Sequence, residues 1–250
     1  MTRLSVNVNK IATLRNTRGN AIPDLSALAA LALASGAHGI TVHPRPDERH
    51  IRADDVPALA AVVARFSGAE LNIEGNPFHG LIEHCARARP SQATLVPDAH
   101  DALTSNHGWN LAEMPGEQRT ALAASIGSLR SLGCRVSLFV DPVAALMPLA
   151  KTLGADRVEL FTEPYAALMA DGRATEALSP YVAAAAAARD QGLGVNAGHD
   201  LNLVNLGPFL DAVRQIDEVS IGHALIADAL MLGLGEAVRR YLAICAEPRD

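Results

Sequence analysis

Cysteine is scarce in this chain: three residues in 250, and Cys85, Cys134 and Cys245 fall in predicted helical or helix-end segments without paired spacing. That excludes a disulfide framework and points to reduced thiols. No apolar run approaches the ~18 residues of a membrane span. The apolar stretch 181–188 is mostly alanine, ends at Arg189-Asp190, and reads as a packed surface helix. No basic-then-apolar leader precedes Leu4, so the expected location is the cytoplasm, with no membrane partner. Charge is low and of the wrong sign for a nucleic-acid partner: charged residues make up 19% and the formal net charge is -6. Several signatures that spacing alone reveals are also missing. There is no Gly-x-Gly-x-x-Gly fingerprint after the first predicted strand, no Walker phosphate loop and no nucleophile elbow. With no His-x-His or His-Glu-x-x-His pattern either, a catalytic metal is not expected.

What the chain does have is an even alternation. Hydrophobic residues make up 49%, enough for one large core at this length. Short apolar or β-branched runs recur about every 20–40 residues, each followed by a segment of helical period. Strands are predicted at residues 4–8, 39–42, 71–73, 93–96, 135–140, 157–161, 194–195 and 218–221. Helices are predicted at 24–35, 54–66, 77–87, 117–132, 142–153, 176–191, 203–215 and 224–246. Gly36, Gly133, Gly154 and Gly192 stand where helices end, and Asp24, Asp54 and Asp141 near where they begin. Parallel strands need crossover helices, and about eight such units fit a closed barrel better than an open sheet. The expected fold is therefore α/β, a (β/α)8 TIM barrel forming a single domain over residues 1–250. The irregular stretches 15–23, 45–53, 98–116 and 162–175 all follow predicted strands, at the end where a barrel carries its chemistry.

Titratable residues gather at those strand ends. After the first strand the chain reads Asn7-Val8-Asn9-Lys10 and runs on through Arg15 and Arg18 to Gly19, a segment read as a loop. Alternation points Asn7 and Asn9 the same way. Two guanidiniums on a glycine-ended loop suit a phosphate clamp, against the plainer alternative of a solvated basic loop. After the second strand, His43, Arg45, Arg49 and His50 lie close together. An apolar core would not tolerate those charges, so proton transfer by His43 is the better reading. Glu74 closes the third strand, on the face opposite Leu71 and Ile73. A carboxylate in a barrel mouth is costly unless it is paired or works as a base. Glu159 lies within the sixth strand, as a network anchor or a substrate ligand, and the residues leave both readings open. His199 follows Asn196-Ala197-Gly198, and Gly222-His223 follow Ile221. Glycines after the seventh and eighth strands match the usual phosphate site of a barrel.

Together these segments resemble the pyridoxine 5'-phosphate synthase family of the deoxyxylulose-dependent route to vitamin B6. The matching pieces run in consistent order: residues 6–19, 39–45 with Arg49-His50-Ile51, Asn72-Ile73-Glu74, Leu95-Val96-Pro97, 136–139, 195–199 and 221–224. The resemblance implies a barrel enzyme that condenses 3-amino-2-oxopropyl phosphate with 1-deoxy-D-xylulose 5-phosphate. Pyridoxine 5'-phosphate, inorganic phosphate and water would leave, and no organic cofactor or metal is implied. His43 and Glu74 would accept protons and His199 would donate one. Asn7, Arg18, Gly222 and His223 would hold the amino-ketone phosphate; Asn9, Lys10, Arg45, His50 and Thr104 would hold the deoxyxylulose phosphate. A homo-octamer is implied as well.

The chain departs from the family pattern at three places. Many members carry Asp-His where this chain has Asn9-Lys10, and a glycine where it has Asp200. Lys10 can still pair with a phosphate or polarise a carbonyl, whereas Asn9 removes a charge. Asp200 would repel an anion unless it points away or pairs with Lys10 or an arginine. Glu163-Pro164 replaces smaller residues expected in the sixth loop. Asn9 and Asp200 keep open a phosphate-binding barrel without this activity, and a sugar-phosphate lyase or isomerase is the enzymatic alternative.

Overall fold

The computed structural model describes residues 1–99 and 105–248. Eight parallel strands close into a barrel in chain order: β1 (Arg3–Asn7), β2 (Gly39–Val42), β3 (Glu70–Gly75), β4 (Gln92–Leu95), β5 (Arg135–Val140), β6 (Arg157–Leu160), β7 (Gly194–His199) and β8 (Glu218–Ile221). Closure comes from β8 pairing back onto β1, with Leu4 opposite Val219 and Val6 opposite Ile221. Around the wall run α1 (Asn9–Asn16), α2 (Leu25–Ala34), α3 (Asp55–Val63), α4 (Leu81–Ala88), α5 (Gly116–Ser131), α6 (Met147–Thr152), α7 (Glu163–Ala170), α8 (Ala174–Asp190), α9 (Leu206–Ala212), α10 (His223–Leu232) and α11 (Leu234–Ala246). The expected barrel is the fold.

The details differ from expectation where local signals were weak. The stretch after β1 is a helix, not a loop: α1 buries Ile11, Ala12 and Arg15. Because one of its buried positions is an arginine, the apolar period that marks a helix is blurred. The irregular stretch after β6 contains α7, in which Pro164 occupies the first turn, where its missing N–H costs nothing. Strand β7 runs on to His199, four residues beyond the predicted 194–195. The single helix expected over 224–246 is broken at Gly233, whose φ of 80° no helix accommodates. By contrast α2 begins as expected, with the Asp24 carboxylate accepting the Ala27 N–H at 3.0 Å.

Alternation along the strands separates two faces. Leu4, Val6, Ile40, Val42, Leu71 and Ile73 are buried against the helices. The inward face is polar, unlike the branched apolar filling usual in such barrels. Ser5 on β1 hydrogen-bonds Thr41 on β2 at 2.7 Å, and Thr94 on β4 donates to Asn72 on β3 at 3.1 Å. Gln92 on β4 reaches across to Glu218 on β8 at 3.1 Å and accepts from Asn196 on β7 at 3.3 Å. Those strands are not neighbours, so the contacts span the lumen. Lower down, Arg135 donates to Gln92 at 2.9 Å and pairs with Glu70, which also takes Arg3 at 3.1 Å. Buried polar groups are tolerated when they are hydrogen-bonded to one another.

The ionic layer makes a test of what it contributes. Arg135→Ala removes one partner and leaves Glu70 and Gln92 short of a donor. Both charged side chains are about a quarter exposed, so the expected cost is about 2 kcal/mol, below that of a fully buried pair. Thermal unfolding should show this as a fall in Tm of roughly 4–8 °C.

Candidate active site

The C-terminal rim of the barrel holds a cavity of about 450 Å³. Its first wall comes from the exit of β1. Asn7 closes that strand, and its Oδ1 accepts the Asn9 N–H at 3.0 Å as the chain turns into α1. Asn9 Oδ1 in turn accepts the backbone N–H of His43 at 3.0 Å. The two asparagines thus tie the end of β1 to the end of β2. Asn7 Nδ2 also donates toward Glu74 Oε2 at 3.4 Å. One turn along α1, Lys10 and Thr13 present themselves to the same space.

The second wall is cationic. The His43 ring is buried, with the His50 ring 6.0 Å away and tilted against it. Burial first, then His50, Arg45, His199 and Arg49, hold the His43 imidazolium form well out of favour. His50 is pushed down to about 4 by burial, Arg45, Lys10 and Arg49. Its Nδ1 accepts the Ile51 N–H at 2.9 Å, as a neutral imidazole can. Arg45 is buried and donates to Asp98 at 2.8 Å and to the Ala99 carbonyl at 3.3 Å. Ser105 donates to the same carboxylate at 2.9 Å, which holds Ser105 against the site.

Two carboxyls occupy the floor. Glu74 is raised to about 7 by burial, with Asp98 and Glu218 adding to the effect and His199 opposing it. Glu159 is raised well above the carboxylate range by burial, Glu74 and Glu218. Neighbouring carboxyls in a low-dielectric site work against each other's ionisation, and for both Glu74 and Glu159 burial favours the neutral form. Among the described residues, its Oε2 and the Ser220 Oγ are buried oxygens without a hydrogen-bond partner, and both residues line the cavity. Val96 and Phe139 give the cavity one apolar side, and Phe139 packs edge-on against Phe161 at 5.6 Å.

The third wall is β7 and β8. His199 Nδ1 lies 2.9 Å from Asp200 Oδ2. Burial favours the neutral ring, but the Asp200 hydrogen bond and charge, with Glu74, outweigh it and raise the ring above its ordinary value despite Lys10. Gly222 and His223 complete the rim where β8 passes into α10. The site therefore holds imidazoles of opposite preference, His43 shifted toward the neutral ring and His199 toward the charged one, beside a carboxyl near neutrality. Groups so divided can both accept and donate protons at one pH.

The structure brings Asn7, Asn9, Lys10, His43, Arg45, His50, Glu74, Glu159, His199, Asp200, Gly222 and His223 to this one cavity. Arg18 is not among its lining; it is exposed just past the end of α1. Thr104 lies outside the described residues. Arg15 does not serve as a phosphate clamp: it is buried and held by Asp55 at 2.6 Å and by the His50 carbonyl at 3.2 Å. Asp200 pairs with His199 and not with Lys10 or an arginine. Sequence reasoning missed Thr13, Val96, Ser105, Phe139 and Ser220. Alternation through 135–140 and 218–221 was a signal for Phe139 and Ser220; nothing local marked Ser105.

An eight-stranded barrel with paired acid–base groups and cations at its C-terminal rim defines an acid–base (β/α)8 enzyme suited to anionic substrates. Solved structures share the architecture at low identity. Thiamine phosphate pyrophosphorylase from Pyrococcus furiosus superposes with a TM-score of 0.61 at 12% identity, over 98% of this chain and 95% of that one. That likeness concerns the fold alone. The sequence pattern of the Pyridoxal phosphate biosynthesis protein PdxJ family matches residues 4–247, and the chain belongs to that family. Pyridoxine 5'-phosphate synthase of Xanthomonas axonopodis pv. citri is 54% identical, covering 97% of this chain and 96% of its own. The Xylella fastidiosa protein of the same name is 52% identical, over 97% and 94%.

Proposed function

We propose that this chain is a pyridoxine 5'-phosphate synthase, condensing 3-amino-2-oxopropyl phosphate with 1-deoxy-D-xylulose 5-phosphate. The observation that carries the reading is the convergence of His43, Glu74 and His199, from the ends of three separate strands, on one cavity that Lys10, Arg45 and Arg49 also line. Imine formation, elimination and ring closure each move protons between carbon, nitrogen and oxygen, so the site needs acceptors and a donor held together. His43, kept neutral by burial and by neighbouring cations, accepts a proton without first losing one. Glu74 works near its midpoint and can take a proton in one step and return it in another. His199, whose charged form is favoured by Asp200 and Glu74, supplies a proton to a leaving oxygen. Glu159, whose neutral form is favoured by burial, offers a hydrogen bond to developing negative charge.

The phosphates have cations and donors to hold them. Lys10, Arg45 and His50 line the cavity together with Asn7, Gly222 and His223, where the start of α10 adds its dipole. Arg18 belongs to the same reading as a ligand of the amino-ketone phosphate. Cytoplasmic location is part of it too. So is assembly as a homo-octamer, supported by large apolar side chains left exposed at Ile22, Leu230 and Met231. The purified protein incubated with both phosphorylated compounds should form pyridoxine 5'-phosphate, and with either alone should form none.

The pH dependence has a definite sign. Burial raises Glu74 to about 7, so the carboxylate needed as acceptor is lost as pH falls through that value. Initial rates measured at saturating substrate should fall toward about tenfold per pH unit below that midpoint. A rate that stays flat down to about pH 5 would remove Glu74 from the acceptor role.

A further inference from the structure

We propose that Asp200 is a positioning residue for His199: its carboxylate, held on Nδ1 by the turn that leaves β7, fixes the tautomer and charge of the imidazole. The inference rests on the proton-donor reading of His199 given above. Adjacent residues in a strand point to opposite faces, so the chain must turn sharply for Asp200 to come back to the preceding ring at 2.9 Å.

That turn is built from buried groups. Thr162, fully buried on the exit of β6, donates to the Gly198 carbonyl at 3.1 Å and accepts the Asp200 N–H at 3.4 Å. The Leu201 N–H closes onto the Gly198 carbonyl at 2.7 Å. From the far side, Asn205 Nδ2 donates to the Asp200 carbonyl at 3.2 Å, and the buried Tyr165 hydroxyl holds the Asn205 carbonyl at 2.7 Å. The Asp200 backbone is thus anchored before and after the side chain, through groups that touch neither the cavity nor one another's charges.

The electrostatics make this placement matter. His199 faces Lys10 from α1, Glu74 from β3 and His43 just past the end of β2, as well as its own neighbour Asp200. Lys10 works against a second positive charge, and so does burial. Asp200 is the strongest influence on the other side. With Nδ1–H bound to the carboxylate, proton donation falls to Nε2, the arrangement a carboxylate–imidazole pair imposes in general acid–base sites. The same contact accounts for a carboxylate next to a phosphate site: its charge is matched by the imidazolium and not left facing the anion.

Asp200→Asn tests this in the full-length protein, since asparagine keeps both backbone bonds and the side-chain volume. The His199 titration followed by imidazole NMR should move to lower pH. Turnover should fall about threefold to tenfold at about pH 8.5 and less than about twofold at about pH 6. KM for the two phosphorylated substrates should stay within about twofold. An unmoved His199 titration, or a loss of turnover equal at all pH values, overturns the proposal. Asp200→Ser, which also removes the charge, must reproduce the titration shift. Failure of the wild-type protein to form pyridoxine 5'-phosphate would overturn the synthase reading instead, and the NMR titration decides the pairing independently of it.

Discussion

Glu74→Gln should lower turnover by about 10²–10⁴-fold, the range expected when a general base is removed, and leave inorganic phosphate binding nearly unchanged. Glutamine preserves the volume at the end of β3 and the contact with Asn7, but it cannot take up a proton. The cations that would hold phosphate, Lys10 and Arg45 among them, lie on other elements, so their geometry survives. The substitution has a second consequence. Glu74 is one of the groups that raise Glu159; without its charge, Glu159 ionises more readily, and the limb of the rate profile near pH 7 should vanish. Steady-state rates across pH, with calorimetric titration of phosphate, check both. Near-normal turnover would end the base assignment.

Gly198→Ala should be the most disruptive single change in the barrel wall. A Cβ at this position would stand 2.0 Å from the Ser220 carbonyl oxygen, 2.8 Å from its carbon and 2.9 Å from its nitrogen. All three are backbone atoms of the paired strand β8, so no side-chain rotation relieves the clash, and β7 and β8 must separate. Overpacking of this kind costs about 3 kcal/mol or more, which for a chain of this size lowers Tm by roughly 6–12 °C. Because His199 and Gly222 flank the displaced residues, turnover should fall even at temperatures where the variant stays folded. Gly127→Ala, in α5 with nothing within 4 Å of its Cβ, is the matched control. A Gly198→Ala protein with unchanged Tm and rate would show that the strands do not approach as closely as described.

Much of the site was legible because it breaks the pattern around it. Glu74 and His43 stand at the ends of apolar strands, and a polar residue there conflicts with burial unless it has a task. His199 and Gly222 followed from the order of strands, since the last two carry the phosphate-binding loops in this architecture. Arg15 misled for a related reason. Its charge beside Arg18 resembled a clamp, whereas its partner Asp55 lies 40 residues on and no local pattern announces it. Asp98 and Ser105 were invisible in the same way. Their place depends on how the segment after β4 docks onto Arg45, which is a long-range contact.

The sequence by itself determined the alternation of strand and helix, the parallel sheet that alternation requires, and the rim on which the polar strand-end residues collect. It also contained a period of two in which Ser5, Asn7, Asn72, Glu74, Gln92 and Thr94 share one face. Only the tertiary structure decided which side of the wall that face takes. In an open sheet a polar face turns to water; here helices cover the outside, closure of β8 onto β1 traps the polar face within, and hydrogen bonds across the lumen replace the solvent it would otherwise have kept.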